Sequence, residues 1–379
     1  MIKRSLNKVL EEKLFKGKVF ILVGARQVGK TTLIKEIEKK YSGSSIYLSG
    51  DESDIRMMFQ EPTSTKLKSI IGNNKLVIID EAQLIENIGL SIKLLIDNSE
   101  DIQIIATGSS SFDLKEKVKE PLTGRKYEYI LYPLCFKELV EYTSFIEEKR
   151  LLESRLIYGC YPEIITKQEE AKELLKLISD SYLYKDILAY ERIKKPEKLE
   201  KLLQALALQI GNEVKFHEIG QIIGTDNETV ERYINILEKA FVIFRLPSLS
   251  RNRRNELKKS RKIYFYDNGI RNAIINNFNP LPLRQDVGSL WENFLIVERI
   301  KYNHYHKVFC NYFFWRTHSQ SEIDFIEERD GKLYAFEFKW NAENKNIRVF
   351  NTFLQSYSNA ECSCIDRNNF VDFVVPKSD

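Results

Sequence analysis

Over residues 1–110, short apolar runs alternate with stretches in which apolar side chains recur at helical spacing. Lys18-Val-Phe-Ile-Leu-Val23, Ser45-Ile-Tyr-Leu-Ser49, Lys75-Leu-Val-Ile-Ile-Asp80 and Asp101-Ile-Gln-Ile-Ile-Ala106 read as strands. Unbroken apolar runs such as Val19–Val23 and Leu76–Ile79 suit strands buried on both faces, as in a parallel sheet. Between the strands lie Thr32–Lys40, with Leu33, Ile34 and Ile37 on one face, residues 54–71 interrupted at Pro62, and residues 88–97. Residues 1–17 predict an amphipathic helix with Leu6, Val9, Leu10 and Leu14 on one side. The alternation predicts an α/β fold, a parallel sheet with helices on both faces.

The pattern then changes. From Glu138 to Ile210 the spacing is helical, with breaks at Gly159-Cys-Tyr-Pro162 and Pro196, which predicts a helical connector. Phe216–Gly224 and Asp226–Glu238 predict two short helices. The Thr225-Asp-Asn227 turn caps the second, which buries Val230, Tyr233, Ile234 and Leu237. With the strand Phe241–Leu246 after them, they predict a winged-helix layout. Farther on, Gly288–Val297 predicts a helix, Tyr312–Arg316 a strand, and Glu322–Glu327 with Lys332–Lys339 a hairpin turning at Asp330-Gly331. The expected domains are residues 1–140, 141–262 and 263–379.

Candidate chemistry is concentrated at two places. Gly24, Ala25, Arg26, Gln27, Val28, Gly29, Lys30, Thr31 and Thr32 follow the first strand, open its helix and fit G-x-x-x-x-G-K-[ST]. Glycines let such a loop turn backbone N–H groups onto phosphate oxygens, and the helix N-terminus adds to the field. Lys30 would meet the β/γ-phosphates, and Thr31 would ligate Mg²⁺. A glycine-rich strand–helix turn is the plain alternative, but Asp80-Glu81 follows at the end of another buried strand. Asp80 would hold Mg²⁺ through water, and Glu81 would orient the attacking water. A third apolar strand ends in Thr107-Gly-Ser-Ser-Ser111, where Ser109 or Thr107 would sense the γ-phosphate or cap a helix. Arg125 would reach the γ-phosphate in cis or in trans, or form a surface salt bridge.

The second place is the C-terminal hairpin. Side chains alternate along a strand, so Glu337 and Lys339 share a face that Asp324 on the partner strand can join. D-x12-E-x-K on a hairpin, preceded by Glu292 on a helix, matches PD-(D/E)xK nucleases. Asp324, Glu337 and Glu292 would hold a second divalent metal, and Lys339 would activate water. Salt bridges on a strand face are the alternative reading.

Composition narrows the partners. The chain has 379 residues, 43% hydrophobic and 30% charged, with a net charge of only +4. Positive charge gathers instead in residues 251–262, where Arg251, Arg253, Arg254, Lys258, Lys259, Arg261 and Lys262 face one acid, Glu256. Beside a helix pair this run suits phosphate contact with DNA, or else it solvates a loop or serves a protein-binding module. No run approaches the ~18 apolar residues of a membrane span, and the N-terminus lacks a signal-peptide core, so a cytoplasmic protein is expected. Five cysteines, with an isolated Cys362-x-Cys364, indicate neither zinc nor a disulfide framework. His304, His306 and His318 suit packing better than metal.

Taken together, GARQVGKTTL, VIIDEAQ, ATGSSS, LTGRKYEYILYPLCFKEL, YFYDNG and WENFLIVE with the later WR, EIDF and EFK resemble a prokaryotic family. Its members are AAA-superfamily ATPases with a C-terminal domain of unassigned function similar to restriction endonucleases. The resemblance spans nearly the whole chain. It implies a P-loop NTPase sheet, a connector with a winged helix, and a C-terminal α/β endonuclease-like domain. It also implies ATP at Gly24–Thr32, with Mg²⁺ and water handled by Asp80 and Glu81. Many members look like signalling or defence ATPases. Gly159-Cys160-Tyr161-Pro162 departs from the more usual Gly-Gly-x-Pro. The expected function is an ATP-hydrolysing, DNA-associated switch or motor whose C-terminal domain is a nuclease or a binding platform. The alternative is a non-nucleolytic regulator acting through protein partners, and a homo-oligomer is compatible with either.

Overall fold

The computed structural model describes residues 2–99, 101–109, 114, 117–118, 121–182, 195–250, 261–317, 321–341 and 347–376. Contacts group the chain into two units, Met1–Pro133 with Lys239–Phe241, and Leu134–Glu238 with Val242–Asp379.

The first unit is an α/β sandwich. Helix α1 (Ser5–Glu11) precedes β1 (Val19–Val23), α2 (Lys30–Lys39), β2 (Ser45–Ser49), α3 (Ser53–Met58), α4 (Ser64–Ile71), β3 (Leu76–Asp80), α5 (Ile88–Asn98), β4 (Gln103–Gly108) and β5 (Lys126–Ile130). The five strands run parallel in the order β2-β3-β4-β1-β5. Every residue of β1 and β3 is buried, which is why these strands read as unbroken apolar runs. Parallel strands end together, so the segments after β1, β3 and β4 share one edge, where ligands of such sheets collect.

The second unit begins with short helices α6 (Phe136–Tyr142), α7 (Phe145–Arg150), α8 (Leu152–Tyr158), α9 (Pro162–Thr166), α10 (Ala171–Tyr182) and α11 (Pro196–Leu208). Pro162 and Pro196 each occupy a first helical position, where the missing N–H costs nothing. Strand β6 (Glu213–Val214), α12 (Phe216–Ile223), α13 (Asn227–Lys239), β7 (Ile243–Pro247) and β8 (Arg261–Phe265) follow, the strands forming an antiparallel sheet in the order β6-β8-β7. Asp226 caps α13 by accepting from Thr229 N–H at 2.7 Å, and Val230, Tyr233, Ile234 and Leu237 are buried as expected. The boundary expected at 262/263 falls inside β8. That strand pairs with both β6 and β7, so residues 263–265 belong with the middle region.

After α14 (Asn268–Ile274) and the long α15 (Val287–Tyr305) come β9 (Asn311–Arg316), β10 (Glu322–Arg329), β11 (Lys332–Phe338), α16 (Ile347–Ser356), β12 (Ala360–Ile365) and α17 (Phe370–Val374). The sheet order is β12-β11-β10-β9, with only β11 and β12 parallel. One face packs Trp315, Ile323, Ile326 and Leu333 against Val349 and Phe353 of α16.

Three motifs far apart in sequence converge inside this unit. Gly159 has φ +70°, and a Cβ there would lie 2.0 Å from Asp267 Oδ1. Asp267 accepts from Cys160 N–H at 2.7 Å and from Ile270 N–H at 3.2 Å. Asn293 accepts from Phe265 N–H at 2.8 Å and donates to Phe265 O at 2.9 Å and Asn268 Oδ1 at 2.8 Å. The Gly-Cys-Tyr-Pro break, the Asp-Asn-Gly turn and the Trp-Glu-Asn-Phe helix are thus one buried polar knot, in which each hydrogen bond offsets the desolvation of its partner. His306 stacks on Tyr302, with 4.0 Å between ring centroids. His318 lies outside the described residues.

Candidate functional site

The site at the sheet edge begins with the phosphate loop, residues 24–29 between β1 and α2. A Cβ at Gly24 would lie 2.2 Å from Leu131 O, and Gly29 takes φ +94°, so both positions require glycine. Val28 and Ala25 are buried, while Arg26, Gln27 and Thr32 face solvent. Lys30 is 6% exposed, and its Nζ donates to the carbonyls of Gly24 and Ala25, each at 2.8 Å. The loop's own backbone therefore satisfies its lysine, in the position where phosphate oxygens would compete for it.

The acidic half is bonded to the first. Asp80 Oδ2 accepts from Thr31 Oγ1 at 2.9 Å and from Tyr47 OH at 2.5 Å, and its Oδ1 accepts from the Thr107 hydroxyl. Burial and the Asp80 carboxylate raise the pKa of Tyr47 far above that of an ordinary phenol. Thr31 and Asp80, the pair expected to share a Mg²⁺ shell, are thus in contact. Glu81 takes φ +47°, a left-handed conformation uncommon for a glutamate. Its carboxylate accepts from Gln83 Nε2 at 2.5 Å, and the same amide lies 3.3 Å from Ser109 Oγ. Gln83 is buried and its Oε1 has no partner. One amide thereby ties the residue expected to position water to the residue expected to sense phosphate.

Sequence reasoning missed three of these contributors. Arg4 lies beneath the loop and donates to Val28 O and Tyr132 O, each at 2.6 Å. Tyr47 and Gln83 carry no motif-level signal, although Gln83 sits two residues beyond Glu81 in VIIDEAQ.

Arg125 requires a correction. It precedes β5, next to the start of β1, and pairs with Asp97 at the end of α5. The phosphate loop follows the other end of β1, so Arg125 does not reach the site of its own chain.

The C-terminal residues form a cluster of their own. Glu292, Asp324, Glu337 and Lys339 do share a neighbourhood, since the charges of Glu292 and Glu337 act on Asp324. Burial first, then the Glu292 carboxylate, push the Asp324 carboxyl well above the usual carboxylate range. Lys262 enters from β8 with its Nζ 3.1 Å from Glu292 Oε1 and paired to Glu322 as well. Tyr264 OH donates to Glu292 Oε1 at 2.5 Å, and Lys339 pairs with Glu337 Oε1 at 2.8 Å. Glu337 Oε2 is buried without a partner. Among the described residues no group of three or more His, Cys, Asp or Glu side chains is placed to hold a metal. Lysines pair with Glu292 and with one oxygen of Glu337, so the divalent ion expected at Glu292, Asp324 and Glu337 would compete with Lys262 and Lys339 for those carboxylates. Lys262, expected in a DNA-facing run, is 2% exposed. Arg261 lies 3.9 Å from Glu231, and residues 251–260 of that run lie outside the described residues.

Comparison with known proteins agrees with the first site. Residues 16–140 match a family model described as an AAA domain. The first unit carries an AAA-type P-loop ATPase domain. Residues 149–281 and 287–375 match two models described as domains of unknown function (DUF8612 and DUF4143). The chain is 26% identical to an uncharacterized protein of Methanocaldococcus jannaschii, covering 91% of this chain and 80% of that one. It is also 26% identical to an uncharacterized protein of Haemophilus influenzae (88% and 87% covered) and 24% identical to one of Mycobacterium tuberculosis (87% and 72%). Among solved structures, a Signal Transduction ATPase with Numerous Domains from Pyrococcus horikoshii, which has a tetratricopeptide repeat sensor, aligns at 13% identity with a TM-score of 0.30. The alignment covers 81% of this chain and 48% of that one, so the chain spans about half of it, and the match bears no weight here. Among the described residues no helix is long and apolar enough to cross a membrane.

Proposed function

We propose that this protein is a Mg²⁺-dependent ATPase that works as a nucleotide-gated regulator, with a C-terminal domain that binds partners and does not cut DNA. The observation that carries it is the bonded chain Glu81–Gln83–Ser109 beside Lys30, Thr31 and Asp80. In this reading Lys30 and the loop amides hold the β/γ-phosphates, and Thr31 and Asp80 carry the Mg²⁺ shell. Held by Thr31 and Asp80, Mg²⁺ would supply positive charge against the phosphate oxygens. Glu81 positions water, and Gln83 relays the presence of a γ-phosphate at Ser109 to Glu81. Glu81→Gln should leave ATP binding intact and slow phosphate release by about 10²-fold or more, measured by single-turnover hydrolysis. Unchanged turnover would remove Glu81 from that role.

The order helix, short strand, two helices, hairpin supports a winged-helix reading of residues 196–265. Helix α13, which would read DNA in such a module, presents Glu228 and Glu231 beside Arg232, and acids oppose phosphate. That charge pattern favours a protein partner. DNA association rests on residues 251–254 instead. Alanine at Arg251, Arg253 and Arg254 should flatten the salt dependence of any DNA binding by about three units at most.

A further inference from the structure

The second unit contains a cavity of about 530 Å³, within the ~300–1,000 Å³ typical of small-ligand sites. It is separate from the carboxylate cluster and from α13. Its wall combines Lys149 and Arg150 at the end of α7 with Trp340, Asn341, Arg367 and Asn368. Those three cations face one acid, Glu153, so the lining is net positive.

The geometry is built rather than incidental. The Arg367 guanidinium lies 4.7 Å over the Trp340 ring, and Arg367 Nη2 reaches Asn341 Oδ1 at 3.4 Å. Trp340 is fixed from another side by the edge of buried Trp291, at 5.3 Å between centroids. The turn carrying Arg367 is pinned as well. Asp366 accepts from Asn368 N–H at 2.7 Å, and Asn369 accepts from Asp366 N–H at 2.8 Å and donates to Cys364 O at 2.9 Å. A tryptophan capped by a guanidinium plane is a stack that a planar heterocycle can extend, since bases stack on arginine planes as they do on aromatic rings. Lys149 and Arg150 are exposed at the rim, and Arg150 has only a loose 3.7 Å pairing with Glu147. They stand ready to bind an anion attached to that heterocycle.

We infer that this cavity binds a nucleotide 5′-phosphate, its base on Arg367 and Trp340 and its phosphate at Lys149 and Arg150. The ligand is either a free mononucleotide or the terminal residue of a single strand. The inference stands apart from the ATPase, and its test is set in a Lys30→Ala background so that the phosphate loop does not contribute.

The probe is a short 5′-phosphorylated oligothymidylate with a 3′ fluorophore, followed by anisotropy with full-length protein and challenged by unlabelled thymidine monophosphate. Arg367→Ala and Arg150→Ala change exposed side chains and should leave the fold intact by circular dichroism. Each should weaken binding about tenfold, the scale of one lost stacking or phosphate contact. Competition by the mononucleotide at comparable concentration identifies a free nucleotide as the ligand, and competition by strands alone identifies an end. Either result supports the site. Binding unchanged in Arg367→Ala and Arg150→Ala, or no binding of either probe, would overturn it.

Discussion

The two clusters of acids and lysines in this protein look alike in sequence and behave differently in three dimensions. At the phosphate loop, Lys30 rests on backbone carbonyls, and Asp80 rests on the hydroxyls of Thr31, Tyr47 and Thr107. The hydroxyl partners of Asp80 are neutral, so its charge is available to a cation that a phosphate brings. In the C-terminal cluster the lysines pair with acids of the same chain, Lys262 with Glu292 and Glu322 and Lys339 with Glu337. Burial and the neighbouring Glu292 raise the pKa of Asp324, against the pull of Lys262. The acid of the loop site meets hydroxyls, whereas acids of the hairpin cluster meet lysines. That distinction separates the ATPase reading from the nuclease reading.

The largest effect that would test this contrast is at Lys30. Lys30→Ala should abolish detectable ATP binding by calorimetry with little loss of stability, because the carbonyls of Gly24 and Ala25 can turn to water. Retained affinity would show that the loop is not the nucleotide site. Lys262→Met should do the reverse. It removes the cation shared by Glu292 and Glu322, leaving Glu292 to the Tyr264 hydroxyl and Glu322 to Arg316, and should cost about 1–3 kcal/mol of stability, read from denaturant unfolding, with turnover unchanged under folding conditions. A stable Lys262→Met variant that gained Mn²⁺ binding would mean that the lysine had been masking a metal site.

How much of this was readable beforehand follows from the reach of each interaction. Lys30, Thr31 and the Asp80-Glu81 pair were legible because one loop and one strand end encode them. Arg4 and Tyr47 were not, because Arg4, just before α1, reaches Tyr132 across 128 residues and Tyr47, on β2, reaches Asp80 only once β2 pairs with β3. The C-terminal hairpin and its turn were read correctly, and so was the shared neighbourhood of Asp324 and Glu337. Lys262 was misread because Arg261–Phe265 follows a basic run. Recognised as a strand, that segment places Lys262 and Tyr264 on one face by parity, both reaching Glu292. Asp267 and Asn293 stood out as motif residues, but nothing local showed that Asp267 bonds the backbone of Cys160 or that Asn293 bonds that of Phe265.

A smaller effect is expected within that knot. Burial raises the Asp267 carboxyl to about 6, against the opposing pull of the N–H groups it accepts from. Since the folded pKa lies above the unfolded value of ~3.9, the folded state binds the proton more tightly. This contribution to stability is complete below about pH 4 and is lost as pH rises through about 6. The difference between the two limits is about 3 kcal/mol. Asp267→Asn should remove that pH dependence, so the stability gap between variant and wild type should change across pH 4 to 6 and then level off. A constant gap would mean that the network holds Asp267 ionised throughout, as it would a ligand-facing acid.

The smallest effect concerns Arg125, whose charge is paired like those of the hairpin although it was expected to act like those of the loop. Lys126 stands opposite Val19 at the start of β1, and the loop begins after Val23, opposite Ile130. Four residues of strand separate the two ends, about 13 Å, and Asp97 holds the guanidinium at the far one. Arg125→Ala should therefore leave the turnover of a dilute, monomeric sample unchanged. If wild-type turnover per chain climbs with protein concentration and the variant's does not, the arginine serves a neighbouring copy, and the pairing with Asp97 is what assembly exchanges. A loss of turnover at every concentration would instead require Arg125 to leave Asp97 and cross the length of the sheet within one chain, which a side chain of its length cannot do while β1 and β5 stay paired.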